Sequence, residues 1–215
     1  EMVFHAGDAV AAVAAVTEQL AQDALEKIKI DYEPLDPVYD PIEAMKESAP
    51  QVHEGGSNIY ATKVIQKGDV EQGFKDAYRI YENTFSTQMV EHVPMEPHAS
   101  IADWDGNGRV TLHSSLGRIT LGRADISRTL DIPINRVRII ATVVGGNFGG
   151  KNEITTEPIL ALLSKKTGRP VKGIYTREDE FISSTTRHPF VMDYKTGVDK
   201  DGQIVARKVR LVCDG

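Results

Sequence analysis

Four glycines, one phenylalanine and one lysine lie together in Val143-Val144-Gly145-Gly146-Asn147-Phe148-Gly149-Gly150-Lys151. Because glycine has no Cβ, its backbone can adopt positive φ and lets another group come close. Successive backbone N–H groups in such a turn form a concavity that binds anions, and a helix start after it would add partial positive charge. Residues 145–151, here named the glycine loop, are therefore predicted to hold an anionic group. A plain turn between a buried strand and a helix is the alternative.

The glycine loop matches one nucleotide-binding motif only in part. Gly145 and Lys151 have the spacing of Gly-x-x-x-x-Gly-Lys, but Asn152 follows where that motif needs a magnesium-binding Ser or Thr. The stretch is not Gly-x-Gly-x-x-Gly either. Nucleotide binding is therefore a disfavoured alternative.

A second group of polar residues lies in the segment 91–98, where His92 and His98 occur with Glu91 and Glu96. Histidines and carboxylates can hold a metal ion, but this spacing matches no standard zinc motif. Two prolines keep the segment extended. A structural role is the preferred interpretation, with these side chains hydrogen-bonded to backbone.

Acidic residues also follow the glycine loop. Glu153 or Glu157 could point into a pocket beside the loop, while charge compensation at a helix N-terminus is the alternative for Glu157. The run Arg177-Glu178-Asp179-Glu180 is predicted to be a solvated helix start, since acids are favoured in the first turn.

Composition limits the classes of protein to which this chain can belong. A length of 215 residues with 40% hydrophobic content fits one large domain or two small ones. The net charge of −6 argues against nucleic acid and against an anionic membrane as partners. No apolar run reaches the length of a bilayer span. The single cysteine, Cys213, excludes an internal disulfide and a cysteine-ligated metal cluster, and it fits a reducing cytoplasm.

The pattern of apolar residues predicts the elements that position the glycine loop. Helices are predicted over residues 10–29, 42–47, 69–76, 121–130 and 156–166. Strands are predicted over residues 28–32, 78–90, 99–104, 109–114, 136–144, 171–175, 191–198 and 204–212. Turn residues at 105–108 and 199–202 join two of the strand pairs as hairpins. Strands mixed with helices and hairpins predict an α+β fold, in which strand 136–144 leads into the glycine loop.

Several short motifs follow one another along the whole chain. They are Gly7-Asp8-Ala9-Val10-Ala11, Tyr32-Glu33-Pro34-Leu35, Gly68-Asp69-Val70, Pro94-Met95-Glu96-Pro97, the glycine loop, Thr167-Gly168-Arg169-Pro170-Val171, Thr176-Arg177-Glu178-Asp179 and Arg187-His188-Pro189-Phe190. In this order they resemble the molybdenum-binding (large) subunits of the xanthine dehydrogenase and aldehyde oxidoreductase family. No single motif is decisive, but so many in one order are specific.

The resemblance implies mixed sheets with flanking helices, as part of the molybdopterin-binding domain of that family. Both chain ends have strand-like sequence without polar fraying, which predicts a fragment of a longer protein. Residues 1–36 would be the C-terminal tail of a small α/β domain, 37–76 a connecting segment, and 77–215 the first part of the cofactor-binding domain. The family's catalytic glutamate lies in a later region, so no catalytic residue and no metal ligand is expected in this chain.

The resemblance also implies site residues. In the family the glycine loop brings backbone N–H groups to the molybdenum cofactor, and the matching cofactor-binding residues here are Gly146, Asn147, Phe148, Gly149 and Gly150. Two substrate-binding positions depart from the family pattern. Asn152 stands where purine-oxidising members have a glutamate, which puts purine specificity in doubt. Leu116 stands where a glutamine hydrogen-bonds a ligand of the metal, so one polarising contact would be missing.

The function that the resemblance implies is a molybdenum hydroxylase acting on a heterocycle, an aldehyde or an aromatic thioester, with water as oxygen source. Some members instead catalyse reductive dehydroxylation. Iron–sulfur clusters and FAD would lie on other domains or subunits, and the expected partners are those parts, the rest of the molybdenum subunit and a small-molecule substrate, in an oligomer. The alternative is an isolated structural or interaction fragment without catalytic activity.

Overall fold

A computed structural model describes residues 2–215, which form two compact units. Unit 1 contains the residues up to Tyr32 and Glu91–Arg187, and unit 2 contains Glu33–Val90 and His188–Gly215. The helices are α1 Glu18–Leu25, α2 Pro41–Ala44, α3 Val70–Asp76, α4 Ile119–Thr129, α5 Glu157–Thr167 and α6 Arg177–Ser183. The strands are β1 Arg79–Ser86, β2 Val90–Glu91, β3 Ala99–Trp104, β4 Val110–Ser114, β5 Val137–Ala141, β6 Val171–Ile174, β7 Thr186–Arg187, β8 Phe190–Val198 and β9 Ile204–Cys213.

Unit 1 is built on a four-stranded mixed sheet with the strand order β5-β4-β3-β6. β3 pairs antiparallel with β4 and β6, whereas β4 and β5 run parallel. Helix α5 packs on β3, and α4 packs on β5. The buried core between them consists of Ala102, Val110, Leu112, Ile126, Val137, Leu160 and Ala161. The predicted α+β class with mixed sheets and flanking helices is confirmed.

Local sequence signals explain several elements of unit 1. The β3–β4 hairpin forms as predicted, because the Asp105 carboxylate accepts hydrogen bonds from the N–H groups of Asn107 and Arg109 in the turn. Helix α5 has a glutamate in its first turn and ends at Gly168, which has a φ of +63°.

Unit 2 is built on a three-stranded antiparallel sheet with the order β1-β8-β9. Helix α3 begins where predicted, since the Asp69 side chain accepts from the N–H of Gln72. This helix packs on β9, and Phe74 of α3 and Ala206 of β9 are buried there. No room is left for a side chain at Gly197 of the neighbouring strand β8. All eight residues of β1 are exposed.

The N-terminal predictions are wrong in two places. The helix predicted over residues 10–29 is only α1, which Thr17 caps, and residues 28–32 do not form a strand. Asp8 caps no helix but accepts from the N–H groups of Phe4 and His5. The hydrogen bond from Phe4 lowers the pKa of Asp8 most, burial opposes it, and the N–H and imidazole of His5 lower the pKa further. Short helices depend on tertiary packing, and most residues in 10–16 are exposed.

The strand predicted to be buried over residues 136–144 is also different. β5 ends at Ala141 and is the edge strand of the sheet, so only Val137 is fully buried. An apolar run alone does not distinguish an edge strand from a central one. None of the helices within residues 2–215 is both long and apolar enough to cross a membrane.

Candidate functional site

The glycine loop has an unusual backbone. Gly146 and Gly149 both have φ of +106°, and Phe148 has φ of +51° although it carries a side chain. Bulky residues rarely adopt positive φ, so this conformation must be imposed by the surroundings. The Phe148 side chain is 74% exposed. The loop thus presents an aromatic ring outward from a constrained backbone.

The side chain of Asn147 closes the loop on itself. Its Oδ1 accepts from the N–H of Gly149 at 3.1 Å and from the N–H of Lys151 at 3.0 Å, and its Nδ2 donates to Asn152 Oδ1 at 3.1 Å. The N–H of Gly150 donates to the Asn147 carbonyl. The concavity predicted for an anion is therefore filled, on this side, by the loop's own carboxamide oxygen.

Other donors of the loop are free. Within the described residues, the N–H groups of Gly146, Asn147 and Phe148 have no hydrogen-bond acceptor. Three successive N–H groups beside an exposed aromatic ring can donate to oxygen or sulfur acceptors of a bound group. These donors, and not those of Gly149 to Lys151, make the loop suitable for binding.

Glu96 and Lys151 hold the loop from behind. Glu96 Oε2 accepts from the N–H of Gly145 at 2.8 Å and from Lys151 Nζ at 2.7 Å. Lys151 is fully buried, while the Glu96 side chain is one-third exposed. Burial raises the pKa of Glu96, but the hydrogen bonds from Lys151 and Gly145 outweigh it, so the pKa lies below its usual value. Since its ammonium is engaged in this pair, Lys151 does not serve as a phosphate-binding lysine.

His98 and Glu180 form a second buried pair behind the loop. His98 Nδ1 lies 2.8 Å from Glu180 Oε1, and Nε2 lies 3.2 Å from the carbonyl oxygen of Gly150. Both ring nitrogens of His98 are therefore engaged, one with a carboxylate oxygen and one with a backbone carbonyl oxygen, which fixes the position of the ring. Glu180 is fully buried and Arg177 donates to the carbonyls of Pro94 and Met95. A helix does start here with acids in its first turn and with Glu178 exposed, as predicted, but the prediction of a solvated start is wrong for Arg177 and Glu180.

The remaining polar residues of segment 91–98 bond to backbone, as the structural interpretation predicted. Glu91 accepts from the N–H of Val93, and His92 Nδ1 lies 3.2 Å from the carbonyl of Thr185. No three His, Cys, Asp or Glu side chains in residues 2–215 are grouped so that they could hold a metal ion.

Glu157 is buried and joins the sheet to the start of α5. Its Oε1 accepts from Ser100 Oγ at 2.9 Å and Ser114 Oγ at 2.6 Å, two residues that pair directly across β3 and β4. Glu153 is exposed. Because α5 begins only at Glu157, the glycine loop does not lie at a helix N-terminus, contrary to the prediction.

Tyr175 marks the same acidic interior. Its ring centre lies 5.6 Å from that of His98. Burial raises the pKa of Tyr175, and the neighbouring carboxylates of Asp179, Glu157 and Glu180 raise it further. The phenol therefore stays neutral over the physiological range.

The two predicted substrate-binding residues have different surroundings. Leu116 is 3% exposed and packs towards α4, where a Cβ built on Gly122 would lie 2.1 Å from Leu116 Cδ2. Asn152 is half-buried beside the glycine loop, and its Nδ2 has no acceptor among the described residues. Gly117 lies between them and donates its N–H to the Lys151 carbonyl at 2.7 Å. A Cβ on Gly117 would lie 1.8 Å from Asn147 Nδ2.

Comparison with known proteins identifies the family. The family described as "Molybdopterin cofactor-binding domain" matches residues 52–215. The chain belongs to this molybdopterin cofactor-binding family. The free N–H donors of Gly146 to Phe148 fit such a group, because the cofactor has oxygen and sulfur atoms that can accept hydrogen bonds.

Two relatives of this chain are named as molybdopterin or molybdenum-binding subunits. It is 38% identical over 214 residues to "Nicotinate dehydrogenase large molybdopterin subunit" of Eubacterium barkeri, covering 100% of this chain and 50% of the relative. It is 36% identical over 203 residues to "Xanthine dehydrogenase molybdenum-binding subunit" of Escherichia coli O157:H7, covering 94% of this chain and 27% of the relative. The chain therefore spans half or less of the length of these two curated relatives.

A solved structure has the same fold as this chain. The aldehyde oxidoreductase from Desulfovibrio gigas superposes with a TM-score of 0.88 at 28% identity. The superposition covers 93% of this chain and 22% of that chain. The mixed sheets and flanking helices described above are thus found in an aldehyde oxidoreductase of known structure.

Sequence reasoning missed three contacts that shape the loop. These are the close approach of Gly117 to Asn147, the burial of the Lys151 ammonium against Glu96, and the pairing of the buried Glu180 with His98. Gly117 follows Leu116 directly, and a glycine beside a predicted site was the available signal. Nothing in the sequence indicates that Glu180 is buried. In α6 the charged Glu180 is buried while the apolar Phe181 and Ile182 are each 54% exposed, which is the reverse of the pattern expected for an amphipathic helix.

Proposed function

We propose that this chain is part of a xanthine dehydrogenase-like molybdenum hydroxylase that acts on a heterocycle, an aldehyde or an aromatic thioester. The observation that supports this most directly is the molybdopterin-binding family match together with the three free N–H groups of the glycine loop. When bound, the cofactor supplies the two-electron chemistry that introduces an oxygen atom from water into the substrate.

The role of this chain is positioning. The N–H groups of Gly146, Asn147 and Phe148 would donate to acceptor atoms of the cofactor, beside the exposed ring of Phe148. Gly149 and Gly150 contribute by conformation, since their N–H groups bond to Asn147. No residue of this chain has to move a proton for this role.

The proposal includes the organisation of the whole protein. Residues 1–36 belong to a small α/β domain, 37–76 connect it, and 77–215 begin the cofactor-binding domain. Iron–sulfur and FAD-containing domains or subunits accept the electrons, and the rest of the molybdenum subunit supplies the catalytic glutamate. The enzyme is oligomeric and cytoplasmic.

The substrate preference follows from Asn152 and Leu116. Asn152 Oδ1 is bonded to Asn147, so the amide offers donors but no charge and no proton to transfer. A purine needs several paired donors and acceptors, and each buried group left unpaired costs about 1–3 kcal/mol. Xanthine is therefore expected to be a poor substrate. Steady-state kinetics with xanthine, nicotinate, an aromatic aldehyde and an aromatic thioester test this, and a dominant kcat/KM for xanthine would contradict it.

The cofactor assignment is tested by metal and pterin analysis of the complete subunit with Phe148→Ala. The variant is expected to lose molybdenum while keeping its unfolding midpoint, because the ring is exposed. Phe181→Ala is the matched control, since Phe181 is also exposed but lies on α6. Equal molybdenum in both variants would mean that the loop is only a turn. Gly149→Val is less informative, because φ of +106° makes any side chain strained there.

The 215-residue chain by itself is expected to hold no molybdenum and to show no turnover. The proposed contacts come from one loop, whereas cofactors are usually enclosed by several segments. Metal analysis of the purified chain tests this expectation, and stoichiometric molybdenum would contradict it.

A further inference from the structure

A single carboxylate oxygen joins the two ends of the glycine loop. Glu96 Oε2 bonds the N–H of Gly145, the first residue, and the ammonium of Lys151, the last residue. The N–H of Glu96 also donates to the Gly145 carbonyl at 3.1 Å. The distance between the loop ends is thus fixed by one side chain from a different segment.

We propose that Glu96 and Lys151 are a pair of positioning residues that set the shape of the loop and thereby its hold on the cofactor. This inference rests on the proposed function. In that function neither side chain touches the cofactor, because the donors towards it are the N–H groups of Gly146, Asn147 and Phe148.

The burial of Lys151 explains why the pair matters. Its side chain is fully buried, and Glu96 is the only hydrogen-bond partner of its ammonium among the described residues. Removing the carboxylate charge leaves a buried ammonium without a counter-charge, which is far less stable than a buried neutral side chain. The loop can then relieve its positive-φ strain by opening, so that Lys151 reaches water.

Opening is expected to stay local. His98 still holds the Gly150 carbonyl, and Glu157 still joins β3 and β4 to α5. Amides of the loop should therefore lose protection while those of the buried strand β4 keep it.

Four variants of the complete molybdenum subunit test the pair: Glu96→Gln, Lys151→Met, the double variant, and Glu153→Gln as control. Glu153 is an exposed glutamate next to the loop without a bonded partner in the described residues. Hydrogen exchange is measured at the amides of Gly149, Lys151 and Leu112, together with molybdenum content per subunit.

Glu96→Gln is expected to speed exchange at Gly149 and Lys151 by at least about tenfold and to lower molybdenum content, with Leu112 unchanged. The double variant, which buries no charge, should restore most of the protection. Glu153→Gln should match the parent.

Unchanged loop exchange in Glu96→Gln, additive effects in the double variant, or equal loss of protection at Leu112 would each overturn the proposal. If the loop opens as expected but the parent subunit contains no molybdenum, the role of Glu96 and Lys151 in setting the loop's shape is supported and the proposed function is contradicted.

Discussion

Charged pairs occur in both units, but their surroundings differ. Behind the glycine loop in unit 1, His98 and Glu180 are 5% and 0% exposed, and Lys151 is fully buried. On the sheet of unit 2, Lys195 pairs with Glu82 at 3.0 Å with side chains 41% and 67% exposed. Buried pairs fix a shape, because losing one partner leaves a charge without water, whereas exposed pairs exchange with water at little cost. The polar interior of unit 1 is thus built to hold a loop, and the charges of unit 2 are surface features.

The largest expected effect comes from removing His98. In His98→Leu the buried Glu180 carboxylate keeps the N–H of residue 98 as its one hydrogen-bond donor among the described residues, so the free energy of unfolding should fall by about 3–5 kcal/mol. Lys195→Leu in unit 2 should change it by at most about 1 kcal/mol. Urea unfolding followed by circular dichroism measures both changes. Similar values for the two variants would remove the distinction between the two regions.

A smaller effect is expected at Gly117. A Cβ there would lie 1.8 Å from Asn147 Nδ2 and 3.2 Å from Asn152 Oδ1, and Asn147 is held by its own hydrogen bonds. Gly117→Ala should therefore destabilise the protein by about 1–3 kcal/mol.

Gly106→Ala is the matched control for Gly117. It lies in the same unit, and a Cβ there would meet nothing within 4 Å. Its effect should remain within about 0.5 kcal/mol. If Gly117→Ala unfolds at the same urea concentration as Gly106→Ala, Asn147 is more mobile than its hydrogen bonds indicate.

The smallest expected effect is the pH dependence due to Glu96. Burial raises its pKa, but Lys151 and the Gly145 N–H outweigh this, so the folded pKa is lowered. The contribution of the Glu96 carboxylate to the free energy of unfolding is therefore complete above its unfolded pKa of about 4.3. This contribution is lost as the pH falls through the lower pKa of the folded state. The stability difference between the parent and Glu96→Gln should be constant from about pH 7 to 5 and shrink below about pH 4. A difference that grows on acidification would contradict the assigned direction.

Where local signals and packing agreed, the sequence was a sufficient guide to the fold. The 105–108 hairpin and the helices predicted over residues 69–76 and 156–166 depend on short-range chemistry, and all three are present. The helix predicted over residues 10–29 failed beyond α1, because periodicity describes a face but does not show that anything covers it.

The site was less predictable, because its shape depends on contacts between distant residues. The glycine loop could be located from its composition. The sequence could not show which N–H groups of the loop stay free, since the side chain of Asn147 accepts hydrogen bonds from two of them. Glu180 lies 82 positions from His98 along the chain, and no local pattern indicates such a partner.

Trp104 has a practical consequence for such experiments. It is the only tryptophan of the chain, and it lies at the end of β3. Its backbone N–H donates to Ser164 Oγ at 2.9 Å, and the Lys165 ammonium lies 4.7 Å from its ring centre. It packs against the core of unit 1. Because unit 2 contains no tryptophan, indole emission is an optical signal for the unit that carries the glycine loop. Melting of that unit can therefore be followed in the intact protein without any attached label.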